Sequence, residues 1–357
     1  MKTDSGQTAV RTGRLQAWFN RIWYGRSRWF VVLLPLSWMY VAASGLRRQL
    51  YRYGILRQQR VLAAVIVVGN ITAGGTGKTP LTIWLARQLL ERGLQPGVVA
   101  RGYGAQVGPQ PLQVSADSDP AVVGDEALLL ATCLSCPVVV HPDRVAAANG
   151  AVELGANVIV ADDGLQHYRL ARDFEIAVID GARGFGNKRR LPAGPLRESI
   201  SRLDSVDKVL VQQDQDAAKV LRRKGDPKEL NFRLVPSGLH SLHDGEVRDL
   251  HSLAGQRVHA LAGIGNPPRF FSMLIEHGLQ LIEHPLPDHA PISQSDLTFD
   301  DDLPVIMTEK DAVKCRHLYT GGCWYVAVEV EIDGEQANSL VDHLHNRLSS
   351  AIAESAS

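Results

Sequence analysis

Uncharged and β-branched runs alternate with amphipathic ones along this chain, and their lengths separate one membrane-length segment from two series of strands and helices. From Trp29 to Leu46 the sequence carries no charge. That run of about 18 residues reaches the lower limit for crossing a bilayer, so a single span or a deeply embedded helix is expected. It starts late and is followed by Arg47, Arg48, Arg52 and Arg57, which does not suit a cleaved signal peptide. Trp23, Tyr24, Trp29, Trp38 and Tyr40 suit the headgroup level, where a ring is sheltered and its polar atom stays wet. Arg21, Arg26 and Arg28 put positive charge on the other side as well, so charge alone does not orient the segment.

Beyond residue 60 the pattern changes. Leu62 to Val68 is a continuous apolar run ending in a glycine-rich turn, the form of a strand covered on both faces. Thr79 to Arg92 has helical periodicity and closes at Gly93. Strands are expected at Gly97 to Arg101, Pro137 to His141, Asn157 to Asp162, Glu175 to Asp180 and Val206 to Gln212, with helices at Asp125 to Leu134 and Arg144 to Leu154. This alternation predicts an α/β fold built on a parallel sheet with crossover helices.

A polar section from Gln213 to Asp249 has only short strand-like pieces around Phe232 and His240, the look of a hinge. A second series follows: strand Val258 to Ala262, helix Pro267 to His277, strands Pro304 to Thr308 and Trp324 to Val330, and helix Glu335 to Leu348. The expected domains are therefore a tail and membrane helix (1–60), a P-loop core (61–229), a linker or hairpin (230–255), a smaller α/β domain (256–349) and a frayed tail (350–357). A length of 357 residues agrees with more than one domain.

Composition narrows the partners. With 45% hydrophobic residues a sizeable core can form, and 38 Lys and Arg balance 38 Asp and Glu, so no nucleic-acid partner is expected. The only close cysteine pair, Cys133 and Cys136, has no second pair at zinc-site spacing, and buried thiols in a reducing compartment are expected.

The strongest chemical signal is Thr72-Ala73-Gly74-Gly75-Thr76-Gly77-Lys78-Thr79, lying between an expected strand and an expected helix. This is the context of a P-loop. Its glycines let backbone amides approach phosphate oxygens, and the helix start adds partial positive charge. Lys78 is the candidate for the β- and γ-phosphates of ATP and Thr79 for a hydroxyl ligand to Mg2+. Thr72 stands where the generic pattern has glycine.

Asp162 and Asp163 end a hydrophobic strand, where sites in open α/β sheets lie. One acid can orient the magnesium shell, and Gln166 and His167 follow in the same turn. Asp125, at the start of an apolar helix, is a candidate general base or an N-cap; His289 is a candidate partner for it. Arg144 and Arg197 are candidates for neutralising transferred phosphate charge. The stretch from Arg183 to Arg197, rich in glycine, proline and basic residues, suits an ordered loop near an anionic ligand.

Together these motifs resemble the tetraacyldisaccharide 4'-kinases, the lipid A 4'-kinases of Gram-negative bacteria. The resemblance rests on Pro35 to Trp38, Val68 to Asn70 leading into Pro80, Ala100 to Gly104, Gly124 to Glu126, Asp162 to His167, Leu191 to Glu198, Ala262 to Pro267, Pro287 to His289 and Thr308 to Lys314, in that order. It implies transfer of the ATP γ-phosphate to the 4'-hydroxyl of a tetraacylated glucosamine disaccharide 1-phosphate, giving lipid IVA. It further implies Asp125 as general base supported by His289, Asp162, Asp163 and Gln166 on the metal side, and Arg144, Arg197 and Glu198 lining the site, Glu198 also toward the metal. The enzyme would sit at the inner membrane with its catalytic domains in the cytoplasm, near a substrate that stays in the bilayer.

Two other readings compete. P-loop ATPases of the partitioning or metal-insertion type also use Gly-Gly-x-Gly-Lys-Thr, but usually carry lysine just before the paired glycines, where this chain has Ala73. A Rossmann dehydrogenase built on Gly263-Ile-Gly265 is disfavoured by Pro268 in place of the third glycine.

Overall fold

The computed structural model describes residues 18–25, 27–102, 108–213, 228–318 and 321–355. It contains two compact units: one is Phe19–Arg233 with Val330–Ser357, and the other contains Leu234–Glu329.

The first unit opens with α1 (Phe30–Arg52), long and apolar enough by length and composition to cross a membrane. One side of α1 is tied to the unit. Ser37, its buried residue, donates to the carbonyl of Arg190 at 2.9 Å, and Tyr40 donates to the carbonyl of Arg197 at 3.0 Å. Elsewhere Val31, Val32, Leu36, Trp38 and Met39 are exposed.

The strands are β1 (Ala64–Gly69), β2 (Pro96–Ala100), β3 (Leu112–Val114), β4 (Val138–Val140), β5 (Val158–Asp162), β6 (Phe174–Asp180), β7 (Lys208–Gln212) and β8 (Glu229–Ser241). They lie in the order β3-β4-β2-β5-β1-β6-β7-β8, parallel except for β3 against β4. Every residue of β1, β5 and β6 is buried, which explains why their sequences are continuous apolar runs without alternation. Between them run α2 (Lys78–Glu91), α3 (Pro120–Val123), α4 (Asp125–Cys133) and α5 (Arg144–Glu153). The register pairs Val68 with Asp162, so the carboxyl ends of the central strands β1 and β5 lie side by side.

The second unit contains β9 (Val247–Arg248), β10 (Arg257–Ala262), α6 (Pro267–Glu276), β11 (Gln280–Pro285), β12 (Val305–Thr308), α7 (Glu309–Ala312) and β13 (Cys323–Glu331). Its parallel strands run β11-β10-β12-β13. Leu250, Val258, Phe270, Phe271, Leu274 and Ile306 form the core under α6.

The chain then returns to the first unit in α8 (Gly334–Ser355). This corrects the expected layout, in which that helix belonged to the smaller domain and frayed after residue 349. Asp342 pairs with Arg92 at 3.0 Å and His343 meets Phe174 edge-on at 5.7 Å, so the middle of the helix packs against the P-loop unit, and the helix continues to Ser355. The hinge-like polar section also differs. Phe232 and His240 lie in one strand of 13 residues, with Leu230 and Phe232 buried and Asn231 and Arg233 exposed, the alternation of a strand buried on one face. Residues 214–227 of that polar section fall outside the described residues, as do Tyr103 and Gly104 of the Ala100 to Gly104 motif. Strands β3 and β11 were not expected, because their mixed polar sequences sit at sheet edges and are only partly buried.

Candidate functional site

The glycine-rich loop follows β1 directly and leads into α2. Gly77 caps the helix at φ 77°, a conformation in which glycine is favoured, and a Cβ there would meet Gln212 Oε1 at 2.9 Å. Gly74, at φ 110°, also has positive φ. Thr72 and Thr76 are buried, and Ala73 donates its amide to Pro195 at 2.7 Å. Asn70 Nδ2 donates to the carbonyl of Gly74 at 3.2 Å and to Thr76 Oγ1 at 3.3 Å, bracing the loop from inside. Among the described residues the amides of Gly74, Gly75, Thr76 and Gly77 donate to no backbone carbonyl, so the turn presents a row of N–H groups at a helix start, suited to an anion.

The two acids at the end of β5 divide the work. Asp162 accepts from Thr79 Oγ1 at 3.4 Å and Thr82 Oγ1 at 3.2 Å, both from the first turns of α2. Burial, then the charges of Glu126 and Asp163, push its carboxyl up to about 6 against the opposing pull of Lys78 and Arg144. Asp163, with φ 50°, turns the other way and receives Arg197 Nη1 on both oxygens and Lys78 Nζ at 3.8 Å. Burial works to raise its carboxyl, but Lys78, Arg197 and Arg144 outweigh burial and hold it well below the usual carboxylate range. Arg144 is buried, donates to the carbonyls of His141 at 3.1 Å and Asp162 at 3.2 Å, and is brought down to about 10, chiefly by burial. His167 is lowered to about 4, first by burial and then by Arg144, and is therefore neutral near pH 7.

Gln166 and Glu198 form a second layer. Gln166 Nε2 donates to Glu198 Oε1 at 2.8 Å and to the carbonyl of Asn70 at 3.0 Å. The Tyr168 hydroxyl donates to Glu198 Oε2 at 2.6 Å, and Arg202 Nε lies 3.3 Å from the same oxygen. Arg197 reaches Gln166 Oε1 at 3.4 Å, which ties this layer to Asp163.

Asp125 is buried in the first turn of α4, after Gly124, which is the N-cap at φ 86°. The capping explanation for Asp125 therefore does not apply in its simple form. Its neighbour Glu126 acts electrostatically on Asp162, so the start of α4 lies near the carboxyl end of β5.

His289 belongs to the second unit. It has φ 61°, and its Nε2 lies 3.4 Å from Lys310 Nζ and 3.7 Å from Asp288 Oδ1. The motif Thr308 to Lys314 braces this corner. Buried Asp311 accepts from the Gly263 amide at 2.8 Å and from Thr308 Oγ1 at 2.6 Å, and pairs with Lys314, which also donates to the carbonyl of Ala290 beside His289.

Thus Lys78, Thr79, Asp162, Asp163, Arg144 and Arg197 come together around the loop, with Gln166 and Glu198 adjoining. Sequence reasoning passed over Thr82, Asn70 and Tyr168 as site residues. Thr82 carried a signal: a hydroxyl one helical turn beyond Thr79 on the same face. The oxygens of Thr79 and Asp162 fit a small hard cation such as Mg2+, which takes one or two protein oxygens beside water and phosphate. Among the described residues no group of three or more His, Cys, Asp or Glu is arranged to cage a metal by itself.

The chain matches the model of the family described as tetraacyldisaccharide-1-P 4'-kinase over residues 29–348. It is 49% identical to the tetraacyldisaccharide 4'-kinase of Alkalilimnicola ehrlichii over 297 residues, 83% of this chain and 87% of that one. The corresponding protein of Nitrosococcus oceani is 45% identical over 329 residues, 90% of this chain and 93% of the other. The crystal structure of LpxK from Aquifex aeolicus, described as in complex with ATP, superposes with a TM-score of 0.74 at 27% identity and covers 89% of this chain and 99% of that one. These matches decide for a kinase over a partitioning ATPase or a dehydrogenase. This chain belongs to the tetraacyldisaccharide 4'-kinase family.

Proposed function

We propose that the loop Thr72–Thr79 holds ATP and that its γ-phosphate passes to the 4'-hydroxyl of a tetraacylated glucosamine disaccharide 1-phosphate, forming lipid IVA at the inner membrane. The observation that carries the reading is the meeting of Thr79 and Lys78 with Asp162 and Asp163 at the carboxyl end of β5, beside a glycine turn whose described amides donate to no backbone carbonyl.

Asp125 accepts the proton of the attacking hydroxyl, whose oxygen forms the new P–O bond as the bond to the β-phosphate oxygen breaks. Lys78 and Arg197 neutralise charge on the transferred group and on departing ADP, and Arg144 supports them from beneath. Asp163 holds both cations in place before the nucleotide arrives. Thr79 and Asp162 would hold Mg2+, with Gln166 and Glu198 behind them and Asp163 left to the two cations; when bound, the ion would offset charge on the β- and γ-phosphates. His289, at φ 61° beside Asp288 and Lys310, is proposed as the residue that supports Asp125 in the reaction. α1, exposed and apolar along one side, keeps the enzyme where an acylated acceptor is concentrated, with the catalytic units on the cytoplasmic side where ATP is found.

The test is an assay of the purified full chain with ATP, Mg2+ and the disaccharide 1-phosphate, reading product by mass. One added phosphate at the 4' position is expected. Hydrolysis of ATP with no phosphorylated glycolipid would sink the reading. His289→Ala should lower turnover while leaving ATP affinity within twofold.

A further inference from the structure

Three of the cations beside the phosphate loop are already engaged. Lys78 and Arg197 share Asp163, and Arg144 donates to two carbonyls. Arg183 borders the same loop: a methyl group placed on Gly74 would lie 3.6 Å from its Nη1. Among the described residues no carboxylate lies within ion-pair distance of Arg183. Oδ1 of nearby Asp180 is taken by the backbone amides of Ala182 at 3.0 Å and Arg183 at 3.1 Å.

What holds the guanidinium is an aromatic ring. Its central carbon sits 5.4 Å from the ring centre of Tyr24, and both residues line a cavity of about 360 Å³ together with Trp23 and Asn187. A ring attracts the cation but accepts none of its in-plane N–H groups, so the donors of a half-buried guanidinium stay available for an outside acceptor. A planar fork of donors beside a glycine loop is matched to phosphate oxygens.

Tyr24 belongs to helical residues 18–24, ahead of the stretch matched to the family. That segment is pinned to the loop of Arg183. The Asn187 amide donates to the carbonyl of Trp23 at 2.8 Å, Asn187 Nδ2 donates to the carbonyl of Ile22 at 3.3 Å, and Trp23 Nε1 donates to the carbonyl of Pro192 at 2.9 Å.

We propose that Arg183 is a ligand of the nucleotide phosphates and that Tyr24, from the segment preceding the membrane-facing helix, is the residue that positions it. The proposal rests on the reading that the loop Thr72–Thr79 binds ATP. It gives the amino-terminal segment a part in nucleotide binding besides its attachment to α1.

The experiment measures ATP Kd by calorimetry and the separate KM values for ATP and glycolipid, using the full chain. Arg183→Ala should weaken ATP binding about tenfold or more and raise the ATP KM by a similar factor, with the glycolipid KM within twofold and the melting temperature without nucleotide unchanged. Arg183→Lys should recover part of the loss, since charge returns without the planar fork. Tyr24→Leu should weaken ATP binding several-fold, Tyr24→Phe should restore most of that, and Tyr24→Leu should add nothing in the Arg183→Ala background. An ATP Kd within twofold of wild type in Arg183→Ala would overturn the proposal, and full additivity of the two losses would overturn the role of Tyr24. If Arg183→Ala fails to fold, Arg183→Gln and Arg183→Lys decide by the same comparison. Wild-type affinity in Lys78→Ala would overturn the underlying reading and this one with it, whereas loss in Lys78→Ala beside normal binding in the Arg183 variants sinks only the present proposal.

Discussion

Arg197 donates through Nη1 to both oxygens of Asp163, at 3.0 and 2.9 Å, while Lys78 Nζ stands 3.8 Å from one of them. One carboxylate thus holds both cations beside the loop. Asp163 is a third exposed at its side chain and sits at φ 50°, a conformation that Asp tolerates better than most residues. Water and ligand can reach this clamp.

The clamp makes a prediction about Asp163→Asn. Removing the charge frees Lys78 and Arg197 to meet a triphosphate without competition, so ATP affinity should not fall. The cations lose their fixed positions, and turnover should drop on the order of tenfold to a thousandfold. Calorimetry and steady-state kinetics on the same preparation separate the two effects. Weaker ATP binding with unchanged turnover would refute the clamp.

Asp125→Asn should behave differently. The carboxyl is buried at the start of α4 and is assigned the proton of the acceptor rather than the nucleotide, so ATP binding should persist within about threefold. Turnover should fall on the order of a hundredfold to ten-thousandfold, the range of general-base catalysis. Loss of ATP binding in this variant would recast Asp125 as a structural residue of the helix start.

How much of this site was legible in the sequence depends on how local each part is. The loop from Thr72 to Thr79 and the pair Asp162-Asp163 are contiguous, and the apolar runs before them place both at strand ends; the register of Val68 against Asp162 then brings them together. Glu198 was legible only through the resemblance, because Gln166 and Tyr168 come from a turn about 30 residues earlier that only the folded chain brings to it, while Arg202 lies four residues on. The docking of α8 was hidden for a related reason. Asp342 and His343 look like ordinary polar positions of a solvent-facing helix until Arg92 and Phe174 are brought against them. Periodicity reports that a helix has a buried face and is silent about which unit buries it.

Asp162 should make stability depend on pH. Its carboxyl is raised in the fold to about 6 from an ordinary 3.8, so the folded protein binds a proton more tightly than the unfolded chain does. Its favourable contribution is complete below about pH 4 and disappears as pH rises through about 6. At about 1.4 kcal/mol per unit, the wild type should lose on the order of 2 to 3 kcal/mol relative to Asp162→Asn between pH 4 and pH 7, with neither Mg2+ nor nucleotide present. Denaturant unfolding of both proteins across that range checks it. Parallel curves would mean that the carboxyl titrates normally.

The last prediction concerns how the enzyme meets its lipid. Ser37 and Tyr40 fasten one side of α1 to the carbonyls of Arg190 and Arg197, the latter a residue of the clamp itself. Val32, Trp38 and Met39, each about two-thirds exposed, are turned to solvent at 67%, 67% and 69%. A soluble surface would gain nothing from that apolar side, whereas an acyl layer would accept it at roughly 25 cal/mol per Å² of area removed from water. Changing Val32, Trp38 and Met39 together to Asp should therefore lower partition onto vesicles containing anionic lipid by tenfold or more. The KM for the acylated acceptor should rise, and ATP affinity should stay within twofold because Ser37 and Tyr40 still hold the helix in place. Flotation of the full chain with vesicles, followed by calorimetry with ATP, reads both arms. Unchanged flotation would mean that the exposed side of α1 is not what binds the bilayer.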